Sequence, residues 1–119
     1  MLSQVLQVDE RSYDAQPRSH HHPYCQVLLP AQGQIALACP GARGWVGNGR
    51  VAVIPPGVEH RYHSLGPNRI VVADFAADHL ESRLALRSDN VFRTQDARLS
   101  SLTQTLQIEA RCGGLGDPL

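Results

Sequence analysis

No stretch of this chain approaches the ~18 consecutive apolar residues that a membrane-spanning helix needs. The opening residues, MLSQVLQVDERS, carry no signal-peptide pattern either, so the expectation is a protein without membrane contact. Net charge is also lacking: 11 basic and 11 acidic side chains cancel. A nucleic-acid-binding module is usually clearly basic, so these residues do not read as one by themselves. Aromatic residues make up only 5% of the chain, too few for a platform on which single-stranded bases could stack. Cysteine is scarce, and Cys25, Cys39 and Cys112 are widely spaced with no CxxC pair. That pattern argues for free thiols and a reducing cytoplasm. Common catalytic signatures are missing too. No serine sits in a nucleophile elbow, no Gly-rich phosphate loop precedes a helix, and acids such as Asp74 and Asp78 have no supporting arrangement.

What remains is an ordinary globular composition, 42% apolar and 18% charged, in a chain of one-domain length. It is long enough to bury a single core. Short β-favouring runs recur at residues 5–8, 24–29, 34–39, 45–46, 51–54, 60–64 and 69–75. Turn chemistry separates them. Pro30-Ala31-Gln32-Gly33 reads as a hairpin loop with glycine at the left-handed position, and Gly47-Asn48-Gly49 as a tight turn. Pro55-Pro56-Gly57 suits a type II turn, with Pro56 fixing φ and Gly57 supplying the positive φ. Many short strands punctuated by Gly and Pro indicate a mainly β fold, a barrel or jelly roll.

After Phe75 the texture changes. Asp78-His79-Leu80-Glu81 carries a capping residue with an acid three positions later and marks the start of a short helix. A longer helix is expected from after Asp96 to about Cys112, with Leu99, Leu102, Leu106 and Ala110 on one face and Gly113-Gly114 ending it. Asp117-Pro118-Leu119 is again a helix-start signal. The division expected is therefore a β-barrel over residues 1–78 and a helical segment over 79–119, one or two helices long, leading to a further domain not present here.

Two motifs occupy the first seventy residues. The first is His20-x-His22, Gln26 and Gly33 in HHHPYCQVLLPAQG; the second is Gly49, Pro55-x-Gly57 and His60 in GRVAVIPPGVEH. His20, His22, Tyr24, Gln26 and Leu28 differ by even numbers, so on one extended strand they share a face. A strand after the Pro-Pro-Gly turn brings His60 and Tyr62 onto a facing wall, near the mouth of the barrel. His20, His22, Tyr24, Gln26, His60 and Tyr62 are thus the candidate pocket residues, with Leu28 as core. Three imidazoles and an oxygen ligand suit Zn, Ni, Fe or Mn, so His20, His22, Gln26 and His60 are a candidate metal set. Gln26 is a weak fourth ligand, because its amide lacks a carboxylate's charge. His21 and His63 fall on the opposite parity and are expected in solvent, His79 at the surface, and Cys25 outside the pocket.

These spacings resemble the two motifs of the cupin superfamily over residues 18–75. The first cupin motif runs Gly, His-x-His, Glu, Gly, and the second Gly, Pro-x-Gly, His, Asn. Here Asp14 stands for the opening Gly, Gln26 for the Glu and Ser64 for the Asn. Within cupins, HHHPYCQVLLPAQGQIAL and VIPPGVEHRYHS look most like the N-terminal domains of AraC-type transcription regulators. The resemblance implies a double-stranded β-helix that binds a small-molecule effector. It also implies a homodimer, and contact with DNA only through a missing C-terminal helix-turn-helix domain. The competing expectation is a stand-alone metal-dependent cupin enzyme, of dioxygenase or isomerase type, using His20, His22 and His60.

Overall fold

The computed structural model describes residues 5–76 and 91–112, leaving aside the side chains of Val5, Arg98, Leu99, Leu102 and Glu109. The strands are β1 (Val5–Arg11), β2 (Arg18–His20), β3 (Cys25–Gln32), β4 (Ile35–Cys39) and β5 (Ala42–Val46), followed by β6 (Arg50–Ile54), β7 (His60–Ser64), β8 (Arg69–Phe75) and β9 (Phe92–Thr94). One helix, α1 (Ala97–Arg111), follows them. Two antiparallel sheets form the barrel, one in the order β1-β8-β3-β6-β9 and the other β2-β7-β4-β5. This is the jelly roll expected from the strand spacing.

The larger sheet is buried on both faces, which explains why its central strands read as nearly unbroken apolar runs. Outward, Val27 and Leu29 of β3, Val53 of β6, and Val71 and Phe75 of β8 meet the fully buried Leu106 of α1, with Ala110 packed beside them. Inward, Leu28, Ile54, Ile70 and Val72 meet Ile35, Leu37 and Val46 of the smaller sheet. Side chains alternate between faces along a strand, so one register serves both layers. Cys25 lies in the outer cluster, away from the barrel interior, as its parity requires. All three cysteines are free thiols, and burial pushes the Cys25 and Cys39 thiols up to about 11.

The expected turns form. Gly33 and Gly57 have φ of +68° and +77°, and Asn48 sits at +51° within the Gly47-to-Arg50 bridge. At Gly33 the requirement is double: a Cβ there would also overlap the carbonyl oxygen of Pro67.

Two expectations need correction. Residues 20–28 are not one strand: β2 ends at His20, the chain bends through residues 21–24, and β3 begins at Cys25 in the other sheet. Pro23 explains the break, since it has no N–H to give a ladder. Phe92–Thr94, read from sequence as part of the helical segment, instead pairs with β6 and widens the larger sheet. The expected cap at Asp78–Glu81, His79, and the signals at Gly113-Gly114 and Asp117-Pro118-Leu119 lie outside the described residues.

Candidate functional site

The bend after β2 places the first histidines differently from a single extended strand, yet it gathers the same side chains. His20 pairs with His60 across β2 and β7, so these two are neighbours in the smaller sheet. Tyr62 follows on the same face of β7. Gln26 comes from β3 in the larger sheet, opposite them. His22 and Tyr24 hang from the bend between the sheets. All six candidate residues line one cavity of ≈ 80 Å³, with Leu28 at its apolar base. A water occupies about 30 Å³ in the liquid, so the space holds about three waters, or a ligand of few heavy atoms.

The rings are layered. His22 stacks on Tyr24 at 4.9 Å and His20 on Tyr62 at 5.5 Å, with interplanar angles of 8° and 15°. His60 stands 5.4 Å from His22 and 6.4 Å from His20, measured between ring centres. It is not a rim residue: only 2% of it is exposed. Its Nδ1 lies 3.2 Å from the Val58 carbonyl oxygen, which can only accept, so Nδ1 carries the proton. Burial holds the His60 pKa down, helped by the nearby His22 and His20 and opposed by the Val58 bond. The ring is therefore neutral near pH 7, and Nε2 is left as an acceptor. Burial also lowers the pKa of His22, with Asp74 opposing. It raises those of Tyr24 and Tyr62, which keep their phenolic protons.

Three contributors escaped the sequence reading. Arg11 and Tyr13 line the same cavity from the end of β1 and the segment after it. Tyr13 is edge-on to Tyr62 at 4.9 Å, and burial raises its pKa. Asn68 fixes it by both backbone groups, accepting from the Tyr13 N–H and donating to its carbonyl, each at 2.9 Å. Arg11 is paired with Asp9 at 2.8 Å, so its charge is compensated. The third is Asp74, a buried carboxyl whose Oδ1 accepts from Gln26 Nε2 at 3.0 Å. Burial pushes its pKa up against the Gln26 bond. The signal was the lone acid in the apolar run RIVVADF, but its partner lies 48 positions away and depends on the β3–β8 register.

The candidate metal set can be judged on geometry. The His20 and His22 rings lie 5.7 Å apart, centre to centre, at 19°. Gln26 donates its amide N–H to Asp74, which leaves Oε1 as the atom it could offer. Among the described residues no three His, Cys, Asp or Glu side chains form a group able to hold a metal ion. His21 is exposed, and His63 is half-buried on the outer parity of β7.

Comparison with known proteins agrees with this architecture. Residues 5–109 match the AraC-like ligand binding domain family. The uncharacterised helix-turn-helix-type transcriptional regulator YobQ of Bacillus subtilis is 30% identical over 116 residues, which cover 95% of this chain and 48% of the relative. The chain thus spans about half the length of that protein. ToxT of Vibrio cholerae superposes with a TM-score of 0.63 at 11% identity, over 85% of this chain and 46% of ToxT. The EutQ protein of Clostridium difficile gives 0.54 at 16% identity, over 66% and 64% of the two chains. Identities this low establish the shared fold alone, whereas the family match spans most of the sequence. The chain belongs to the AraC-like ligand binding domains.

Proposed function

We propose that the cavity between the two sheets takes a small, polar, uncharged or weakly acidic effector, and that its occupancy is read through β1 and α1. The observation that carries this reading is the position of β1. Its inward residue Arg11 lines the cavity. Its outward residue Val8 packs with Leu106 of α1, and Glu10 bonds Arg111 of α1 and Arg69 of β8, each at 3.2 Å. One strand therefore touches the ligand space on one face and the helix on the other. A ligand that favours one placement of β1 shifts the equilibrium of α1 by its differential affinity for the two arrangements.

On this reading the lining acts by hydrogen bonding. Tyr13, Tyr24 and Tyr62 offer hydroxyl donors, and His60 Nε2 an acceptor. Among the described residues no side chain of the lining is an activated nucleophile and no three His, Cys, Asp or Glu side chains form a cation-holding group, which supports a sensor over the metal-cupin enzyme. DNA binding would belong to a helix-turn-helix domain outside these 119 residues, as the relative's name suggests. Pairing of two copies through α1 is supported by Ile108, 62% exposed on that helix.

A panel of small polar metabolites screened by thermal shift, with chromatographic recovery of each hit, tests the proposal. A stabilising compound recovered unchanged after long incubation supports it. Steady consumption of the compound would overturn it in favour of the enzyme.

A further inference from the structure

A second cleft opens where the β5–β6 turn meets β9, away from the histidine cavity. Its volume is ≈ 490 Å³, against ≈ 80 Å³ for the cavity between the sheets. The Arg50 guanidinium stands 4.5 Å from the ring centre of Trp45 and 4.7 Å from that of Phe92. Gly44 makes room for this stack: a Cβ there would lie 3.2 Å from Arg50 Nη2 and 3.3 Å from the Phe92 ring. Arg93 and Asn48 also line the cleft, and among the described residues no acidic side chain does.

The Arg50 guanidinium has neither a hydrogen-bond partner nor an acidic partner among the described residues. Stacking on rings occupies the faces of a guanidinium and leaves its N–H donors, which lie in the plane, available to a bidentate oxyanion. The Arg50 guanidinium thus brings a positive charge to the cleft in a chain whose net charge is zero. Trp45, 42% exposed, adds an apolar rim that a simple inorganic anion would not use.

We propose that this cleft binds the carboxylate of a small organic acid, anchored by Arg50 and flanked by Trp45. The site is independent of the effector cavity. It is also connected to the helix, because Gln95 N–H donates to the Gly49 carbonyl at 2.6 Å and its side chain donates to Thr103 of α1 at 3.2 Å.

Trp45 is the single tryptophan of the sequence, so its emission reports on the cleft directly. Sodium butyrate is titrated at constant ionic strength, with sodium chloride and inorganic phosphate as comparison salts. The expected result is a saturable change with butyrate, weaker with phosphate and absent with chloride. It should persist in His22→Ala, which separates this cleft from the histidine cavity. Arg50→Lys keeps the charge and stem but loses the fork, and should bind about tenfold more weakly or worse. Titration of the Trp45 indole N–H by NMR in the wild-type chain gives a second readout that needs no variant. A change that never saturates, tighter binding of phosphate than of butyrate, or undiminished binding in Arg50→Lys would overturn the proposal.

Discussion

The backbone N–H of Gly57 donates to the carbonyl oxygen of His22 at 2.7 Å. That bond ties the Pro-Pro-Gly turn of the second motif to the bend of the first, and so holds His22 over the cavity. Gly57 has φ +77°, and a Cβ there would meet nothing within 4 Å. The cost of Gly57→Ala is therefore conformational alone. We expect a loss of about 1–2 kcal/mol in urea unfolding, from the left-handed backbone that alanine resists. Effector affinity should weaken with it, since the His22 bend loosens. A variant as stable as the wild type would mean that the turn changes conformation at no cost.

The pH dependence of stability should carry the mark of His60. Its folded pKa lies below the ordinary 6.5, so the unfolded chain binds its proton more readily. The contribution is therefore present above that ordinary value and is lost as pH falls through the depressed folded value. Urea midpoints taken from about pH 8 down to about pH 5 should fall for the wild type, through the range in which imidazoles titrate. His60→Gln should show a shallower fall. An equal slope in both would place the titrating group elsewhere.

Asp74 has the opposite sign. Its folded pKa is raised above 3.8, so the folded chain binds the proton more readily. Its contribution is full below that ordinary value and is lost as pH rises through the raised one. Asp74→Asn keeps an oxygen to accept from Gln26 and removes the buried charge. The variant should be more stable than the wild type near pH 7, and the gap should close in acid. Loss of stability at neutral pH in differential scanning calorimetry would show that the charge itself is needed.

Leu106 is the fully buried contact of α1 with the outer face of the larger sheet. Leu106→Ala should cost about 2–5 kcal/mol in chemical unfolding. Effector response should be uncoupled from the helix before binding itself is lost. Protection of α1 amides in hydrogen exchange, with and without effector, separates the two effects.

How much of this was legible in the sequence depends on the range of the interaction that decides it. The runs at His60–Ser64 and Arg69–Phe75 match their strands residue for residue, and α1 at Ala97–Arg111 matches its apolar spacing, because these patterns are local. The turns at Gly33, Gly57 and Asn48 are local too. The six candidate side chains do share one cavity, although parity along a single strand was the wrong reason for it. His60 was expected at a rim and is buried, since pairing with His20 across β2 and β7 decides its depth. β2 and β9 span three residues each and are polar or half-exposed, too short to show a period. Arg11 and Tyr13 carry no local signal, because the apolar run of β1 ends before them. The role of Asp74 is not legible locally, because only the sheet register brings it to Gln26.

The central claim is that the histidine–tyrosine cavity binds the effector, and one measurement tests this most directly. Urea unfolding is followed with and without the best compound from the thermal-shift panel, in the wild type and in His22→Ala. His22 is half-buried, so its truncation spares the core. At a hundredfold excess over the dissociation constant, the wild type should gain about 2.7 kcal/mol. His22→Ala should fold in the absence of ligand and gain little in its presence. Equal stabilisation of both chains would place the ligand elsewhere and contradict the account.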